Sequence, residues 1–127
     1  PNNATLYFNL GVVNAQRGNK EDASKYYRKT IELDPKFESG YLNLVTLILQ
    51  GENAIVEKMN SLGTSRADNA RYDELKLERE QLYSECVPIL EKLIGSSQNQ
   101  EAVKTLMNIY GTLGNNEGFM KMKGMIE

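Results

Sequence analysis

One stretch of 34 residues constrains this chain more than any other feature. ATLYFNLGVVNAQRGNKEDASKYYRKTIELDPKF, from Ala4 to Phe37, repeats apolar residues at spacings of three and four on either side of Gly18 and ends at Asp34-Pro35. Such spacing gathers side chains on one face of an α-helix, so the segment predicts two short amphipathic helices folded back on each other. Leu6, Leu10 and Val13, with Tyr7, Gly11 and Asn14, give the first helix a wide apolar face. Ala23, Tyr27, Thr30 and Ile31 give the second its inner face. Gly18 marks a stop, Asn19 is placed to cap the second helix, and Pro35 blocks further propagation. Small residues at Gly11 and Ala23 allow the helices to approach closely, and Tyr7 or Tyr27 can fill the hole beside them.

The arrangement resembles the tetratricopeptide repeat, a helix–turn–helix unit. Counted from Ala4, the family pattern falls on Tyr7, Leu10, Gly11, Asn14, Ala23, Tyr27, Thr30 and Pro35. Asn14 stands where an aromatic is usual and Thr30 where alanine is usual. A second copy starts at Glu38, where Tyr41, Leu44, Val45 and Ile48 or Leu49 rebuild the first helix, with Val45 in the glycine position. A third starts near Gln100 with Val103, Leu106, Met107 and Tyr110, and has Gly114 at its turn. Its last helix, roughly Glu117–Ile126, turns Phe119, Met122 and Ile126 inward; Phe119 takes the usual alanine position, which loosens the expected packing. The resemblance implies an all-α fold: a right-handed superhelix of about three helix hairpins, one domain over residues 1–127. Repeat 1 covers about 4–37, repeat 2 about 38–99 and repeat 3 about 100–127.

The copies start at residues 4, 38 and 100, which is 34 and then 62 residues apart, an excess of 28. The second half of repeat 2 falls on Cys86, Leu90 and Leu93, so the extra material lies between its two helices, at about 51–79. It keeps helical periodicity. Ala54, Ile55, Val56, Met59 and Leu62 continue the first helix past Gly51, and Ile48, Ile55 and Leu62 are seven apart. A turn at 63–68, with Asp68 as N-cap, leads into a helix from Asn69 to about Ile94. Tyr72, Leu75, Arg79, Leu82, Cys86, Ile89 and Leu93 form a heptad seam with one polar position, Arg79. Shared between two helices, the excess is about 14 residues each, or roughly 20 Å at 1.5 Å per residue. The second hairpin is therefore expected to be elongated into a projecting, antiparallel, coiled-coil-like arm. Pro88 inside the long helix removes one hydrogen bond and should bend it.

Composition and chemistry narrow the function. The formal net charge is −2 with both signs mixed, which argues against nucleic acid. No apolar run approaches the roughly 20 residues that span a bilayer. There is no histidine, no glycine-rich phosphate loop, and the one cysteine, Cys86, lies on the apolar seam. Glu74, Glu78, Glu80 and Glu85 read as a solvated helix face, with Lys76 and Arg79 available for surface pairs. Met120, Met122 and Met125 divide into one core residue, Met122, and two partly exposed ones. These features leave no catalytic, cofactor or metal site and point away from an enzyme.

Stacked repeats form an extended concave surface, which in this family the first helix of each repeat lines. Carried over by position, that surface holds Thr5, Phe8, Val12 and Gln16; Ser39, Leu42, Asn43, Thr46 and Gln50; and Glu101, Thr105, Asn108 and Thr112. Phe8, Val12, Gln16, Leu42, Asn43, Thr46, Thr105 and Asn108 are the groove candidates for an extended peptide or a partner helix, with Phe8 and Val12 equally able to pack against a neighbouring helix. Chaperone-binding members of the family hold a carboxylate with a Lys/Asn/Asn/Lys/Arg clamp. The matching positions here are Phe8, Val12, Asn43, Glu101 and Thr105; only Asn43 agrees, and Glu101 repels a carboxylate. The expected function is a protein-interaction scaffold of bacterial type, cytoplasmic or periplasmic, cut from a longer chain with further repeats upstream. The alternative is an oligomerising module acting through the arm, favoured if Val56, Leu77 and Tyr83 form a spare apolar face.

Overall fold

The computed structural model describes residues 3–126. Pro1, Asn2 and Glu127, which the single-domain boundaries include, lie outside the described residues. Those described form six α-helices and no strand: α1 Ala4–Gln16, α2 Lys20–Leu33, α3 Glu38–Asn60, α4 Arg66–Ser97, α5 Gln100–Leu113 and α6 Asn116–Ile126. Each helix packs against the next in sequence, from α1 on α2 through to α5 on α6. One cluster of buried residues runs through the stack, from Ala23 and Tyr27 through Tyr41, Leu44, Cys86, Leu90 and Leu93 to Val103, Leu106 and Met122.

Two turns use left-handed glycine. Gly18 has φ +81° and Gly114 φ +78°, a region that costs an L side chain roughly 1–2 kcal/mol, so both helices end where the sequence marks the stop. Asn19 occupies the N-cap position of α2 but makes no capping bond; its amide instead reaches Asn14 Oδ1 at 3.3 Å.

Close approach sets the outer two pairs. A Cβ on Gly11 would stand 2.6 Å from Tyr27 Cε1, so α1 and α2 meet with the tyrosine ring laid on bare backbone. In α5 and α6 the same contact is inverted: Gly118 lies against Tyr110, where a Cβ would stand 2.7 Å from the ring. Phe119 packs beside this contact, over Gly111, and so leaves close packing intact. Ile126 is exposed, and the half-buried Met125 packs against the core in its place. Leu6 is 56% exposed and Val13 also faces outward. The apolar face of α1 is thus wider than α2 covers, and its inward residues are Ala4, Gly11, Phe8, Val12 and Ala15.

The middle pair, α3 and α4, has 23 and 32 residues, joined through 61–65. Ser65, rather than Asp68, caps α4, its hydroxyl accepting from Asp68 N at 3.0 Å. Asp68 turns back to accept from Gly63 N, also at 3.0 Å, and the helix starts three residues earlier than the periodicity suggests. Two contacts show that the pair is antiparallel. At one end Glu38 Oε1 accepts from Asn99 Nδ2 at 2.7 Å, beside the Ser97 hydroxyl at 3.1 Å. Further along, Arg79 meets Glu52 at 3.2 Å. The surface pair of Glu74 is with Arg71, and Arg79 crosses to α3 instead of pairing on its own helix. Along α4, Leu75, Cys86, Ile89 and Leu93 are buried and Leu82 is half-buried, whereas Tyr72 is exposed. α4 continues through Pro88 without a break.

Gly11→Ala should lower stability by about 1–3 kcal/mol, the usual cost of overpacking. Gly95→Ala, in α4 with open space where its Cβ would stand, should raise it by about 0.5–1 kcal/mol. Urea unfolding followed by circular dichroism checks both.

Candidate functional site

Four of the eight sequence-derived groove residues line recesses, two in each of two. Asn43 and Thr46 of α3 line a recess of about 170 Å³ together with Ala15, Tyr27, Leu47 and Gln50. Thr105 and Asn108 of α5 line a second, of about 210 Å³, with Leu49, Glu52, Tyr83, Ile109 and Thr112. The recesses lie on adjacent faces of α3: residues 46 and 50 open to one, and residues 49 and 52, a third of a turn away, to the other. Phe8, Val12, Gln16 and Leu42 line neither recess. Phe8 packs between Tyr27 and Phe37, with ring centroids 5.9 and 5.0 Å away. Val12 and Leu42 are half-buried against the core, and Gln16 is exposed at the end of α1.

The first recess is built on the helix contact below it. Gly11 fixes the position of the Tyr27 ring, and the Asn43 amide donates to the Tyr27 hydroxyl at 3.4 Å. Thr46 and Gln50 stand exposed at its edge.

The second recess lies where the long pair meets α5. Behind it, Arg79 bonds Glu52 and stands over the Tyr83 ring, 5.3 Å from its centroid. Burial disfavours the Arg79 charge, but its interactions with Tyr83 and Glu52 outweigh that effect and raise its pKa. Burial, then hydrogen bonding to the Glu52 carboxylate, pushes the Tyr83 hydroxyl upward. Arg79 Nε is buried without a hydrogen-bond partner, so this polar layer satisfies only part of its own donor set. Glu52 was not singled out in the sequence, and Tyr83 was read there only as part of an apolar face of the arm. The signal was Arg79 itself, a polar seam position that requires an acceptor on the facing helix.

A larger recess, about 490 Å³, opens between α2, α3 and α4, away from the groove candidates. Ile31, Tyr41, Leu44, Pro88 and Ile89 line it beside Arg28, Glu32, Glu85 and Lys92, with Arg28 and Glu85 paired at 3.4 Å. It combines an apolar floor with balanced charges.

Reactive chemistry is sparse. Cys86 is fully buried, and burial, then Glu85 and Glu52, pushes its thiol up to about 12. The Tyr110 hydroxyl donates to Glu91 at 2.8 Å, and burial, then this bond, raises its pKa to about 12. Among the described residues, no group of three or more His, Cys, Asp or Glu is placed to hold a metal ion, and no helix is long and apolar enough to cross a membrane.

Residues 4–37 match the family model described as Tetratricopeptide repeat. Residues 4–37 are a tetratricopeptide repeat. The chain is also similar to the Photosystem I assembly protein Ycf3 of Rippkaea orientalis (strain PCC 8801 / RF-1), at 30% identity over 70 residues. That match covers 54% of this chain and 38% of the relative, so the chain spans well under half of the curated protein it matches. The matched repeat is α1 with α2, the pair closed by Gly11 and Tyr27. Repeats of this family generally mediate protein–protein interaction and are typically non-catalytic.

Cys86 should resist a thiol reagent such as Ellman's at pH 8 in the native protein and react within the mixing time in denaturant, because the thiolate is the reactive species. Rapid native labelling would contradict its burial. Tyr110 adds a second pH dependence. Its folded pKa lies above the unfolded value of 10, so the stability it contributes is complete below pH 10 and is lost as pH rises through about 12. Tyr110→Phe should flatten the loss of stability measured by urea unfolding across that window.

Proposed function

We infer that this chain is a non-catalytic interaction module whose concave face, lined by α1, α3 and α5, receives an extended peptide or a helix from a partner protein. In this reading residues 1–127 form one superhelical domain of three hairpins, with boundaries near 4–37, 38–99 and 100–127. The second hairpin is stretched, by about 51–79, into an arm that projects from the superhelix. One observation carries the proposal: Asn43 with Thr46, and Thr105 with Asn108, border recesses on adjacent faces of the same helix, α3. Amides and hydroxyls at this spacing suit the backbone of a bound segment, which offers alternating donors and acceptors. Half-buried Phe8, Val12 and Leu42 extend the surface with an apolar strip, and Gln16 closes its α1 end. Likeness to a protein named for assembling a complex supports a role in bringing proteins together.

The mixed surface charge keeps nucleic acid outside this reading, which calls for no cofactor. Self-association through the arm is the second reading. Its support is Leu77, 60% exposed on α4, with Tyr72 also exposed. Tyr83 is buried in the core and Val56 is half-buried, so neither adds to a free face. Leu77→Glu should leave the mass measured by light scattering unchanged; a shift to a smaller species would favour the arm.

The groove reading is tested with peptides selected from a random display library. Asn43→Ala with Asn108→Ala should weaken their binding about tenfold or more by calorimetry, each lost hydrogen bond counting roughly 0.5–1.5 kcal/mol, with the helical circular dichroism signal unchanged. Undiminished binding would reject it.

A further inference from the structure

The recess between α3, α4 and α5 offers a ligand many more acceptors than donors. Thr105 donates its hydroxyl proton to the Glu101 carbonyl at 2.9 Å, and Thr112 donates to the Asn108 carbonyl at 3.0 Å. What each threonine still offers is a lone pair. The Tyr83 hydroxyl is engaged with the Glu52 carboxylate, which is itself acceptor-only and gives one oxygen to Arg79. The Asn108 side chain supplies the one amide of the lining, and Leu49 and Ile109 supply apolar walls. At about 210 Å³ the space falls below the roughly 300–1,000 Å³ typical of small-molecule pockets.

We propose that this recess takes the cationic end of a lysine or arginine side chain from the peptide bound in the groove. An ammonium or guanidinium carries only donors and matches a wall of acceptors, and its methylene stem can lie along Leu49 and Ile109. Glu52, whose charge Arg79 already balances, supplies further lone pairs, and Glu101, exposed on the preceding turn of α5, supplies a second carboxylate on the same helix as Thr105. A carboxylate would meet lone pairs there and find few donors. The proposal deepens the groove reading and rests on it.

The test is a random peptide library displayed on phage and selected on the wild-type chain, followed by calorimetry with synthetic peptides. Wild-type selections should converge on Lys or Arg at one position. Replacing that residue by Gln should weaken binding about tenfold or more, the scale of a charge-assisted hydrogen bond. Glu52→Gln should abolish this discrimination. Thr105→Val, which keeps shape and charge but removes an acceptor, should reduce it several-fold, and it serves as the readout if Glu52→Gln unfolds. Peptides that lose affinity on Asn43→Ala, yet tolerate Gln for the cation or discriminate equally on both variants, overturn the cation site and leave the groove standing. Peptides indifferent to both Asn43→Ala and Asn108→Ala, or no enrichment at all, overturn the groove reading and the cation site together.

Discussion

The two outer helix pairs, which flank the long middle pair, depend on how closely their helices can approach. A tyrosine ring laid on a glycine brings α1 onto α2 through Tyr27 and Gly11, and α5 onto α6 through Tyr110 and Gly118. The donor of the ring changes sides between the two pairs, from the second helix to the first, and the contact survives. Any Cβ at either glycine would have to displace a ring by several tenths of an ångström or more, in an interior that resists such shifts. The Tyr27 hydroxyl that results also accepts from Asn43, so the packing contact and the first recess share one side chain.

The middle pair is held differently. Gly51 lies opposite Leu82 at ordinary van der Waals distance, and the long seam relies on Leu75, Cys86, Ile89 and Leu93 with half-buried partners on α3. Leu75 is fully buried yet stands outside the main buried cluster. On α4, Arg79 stands one turn on from Leu75, between it and Tyr83, which belongs to that cluster. A partly buried ion pair contributes little net stability, but it fixes register, and here it also turns one carboxylate and one phenol toward α5. The contact that sets the antiparallel register therefore shapes the second recess as well.

The six helices, the two glycine turns and the inner face of α2 were legible in the sequence, because each depends on local spacing. Other features depended on neighbours the sequence does not specify. Leu6 and Val13 fit an apolar stripe, but α2 covers only one side of α1. Asp68 is a good N-cap by type, yet Ser65 occupies that position and leaves Asp68 to bind Gly63. Thr105 and Asn108 were found by repeat position. Glu52 and Tyr83, which complete their recess, needed the register of α3 against α4, which no repeat position encodes. The larger recess at Pro88 was missed for the same reason: it is formed between three helices rather than along one.

The proposed groove and the recess of α2, α3 and α4 are two candidate surfaces for a partner. Balanced charges over an apolar floor give the latter no preference for any ligand chemistry, whereas the former gathers hydrogen-bonding side chains from several helices. The most direct measurement is an amide nuclear magnetic resonance titration of the isotope-labelled chain with a display-selected peptide. The account predicts shifts concentrated at Asn43, Thr46, Gln50, Thr105, Asn108 and Thr112. Shifts confined to Arg28, Glu85, Ile89 and Lys92, or to the turn at 61–65, would contradict it.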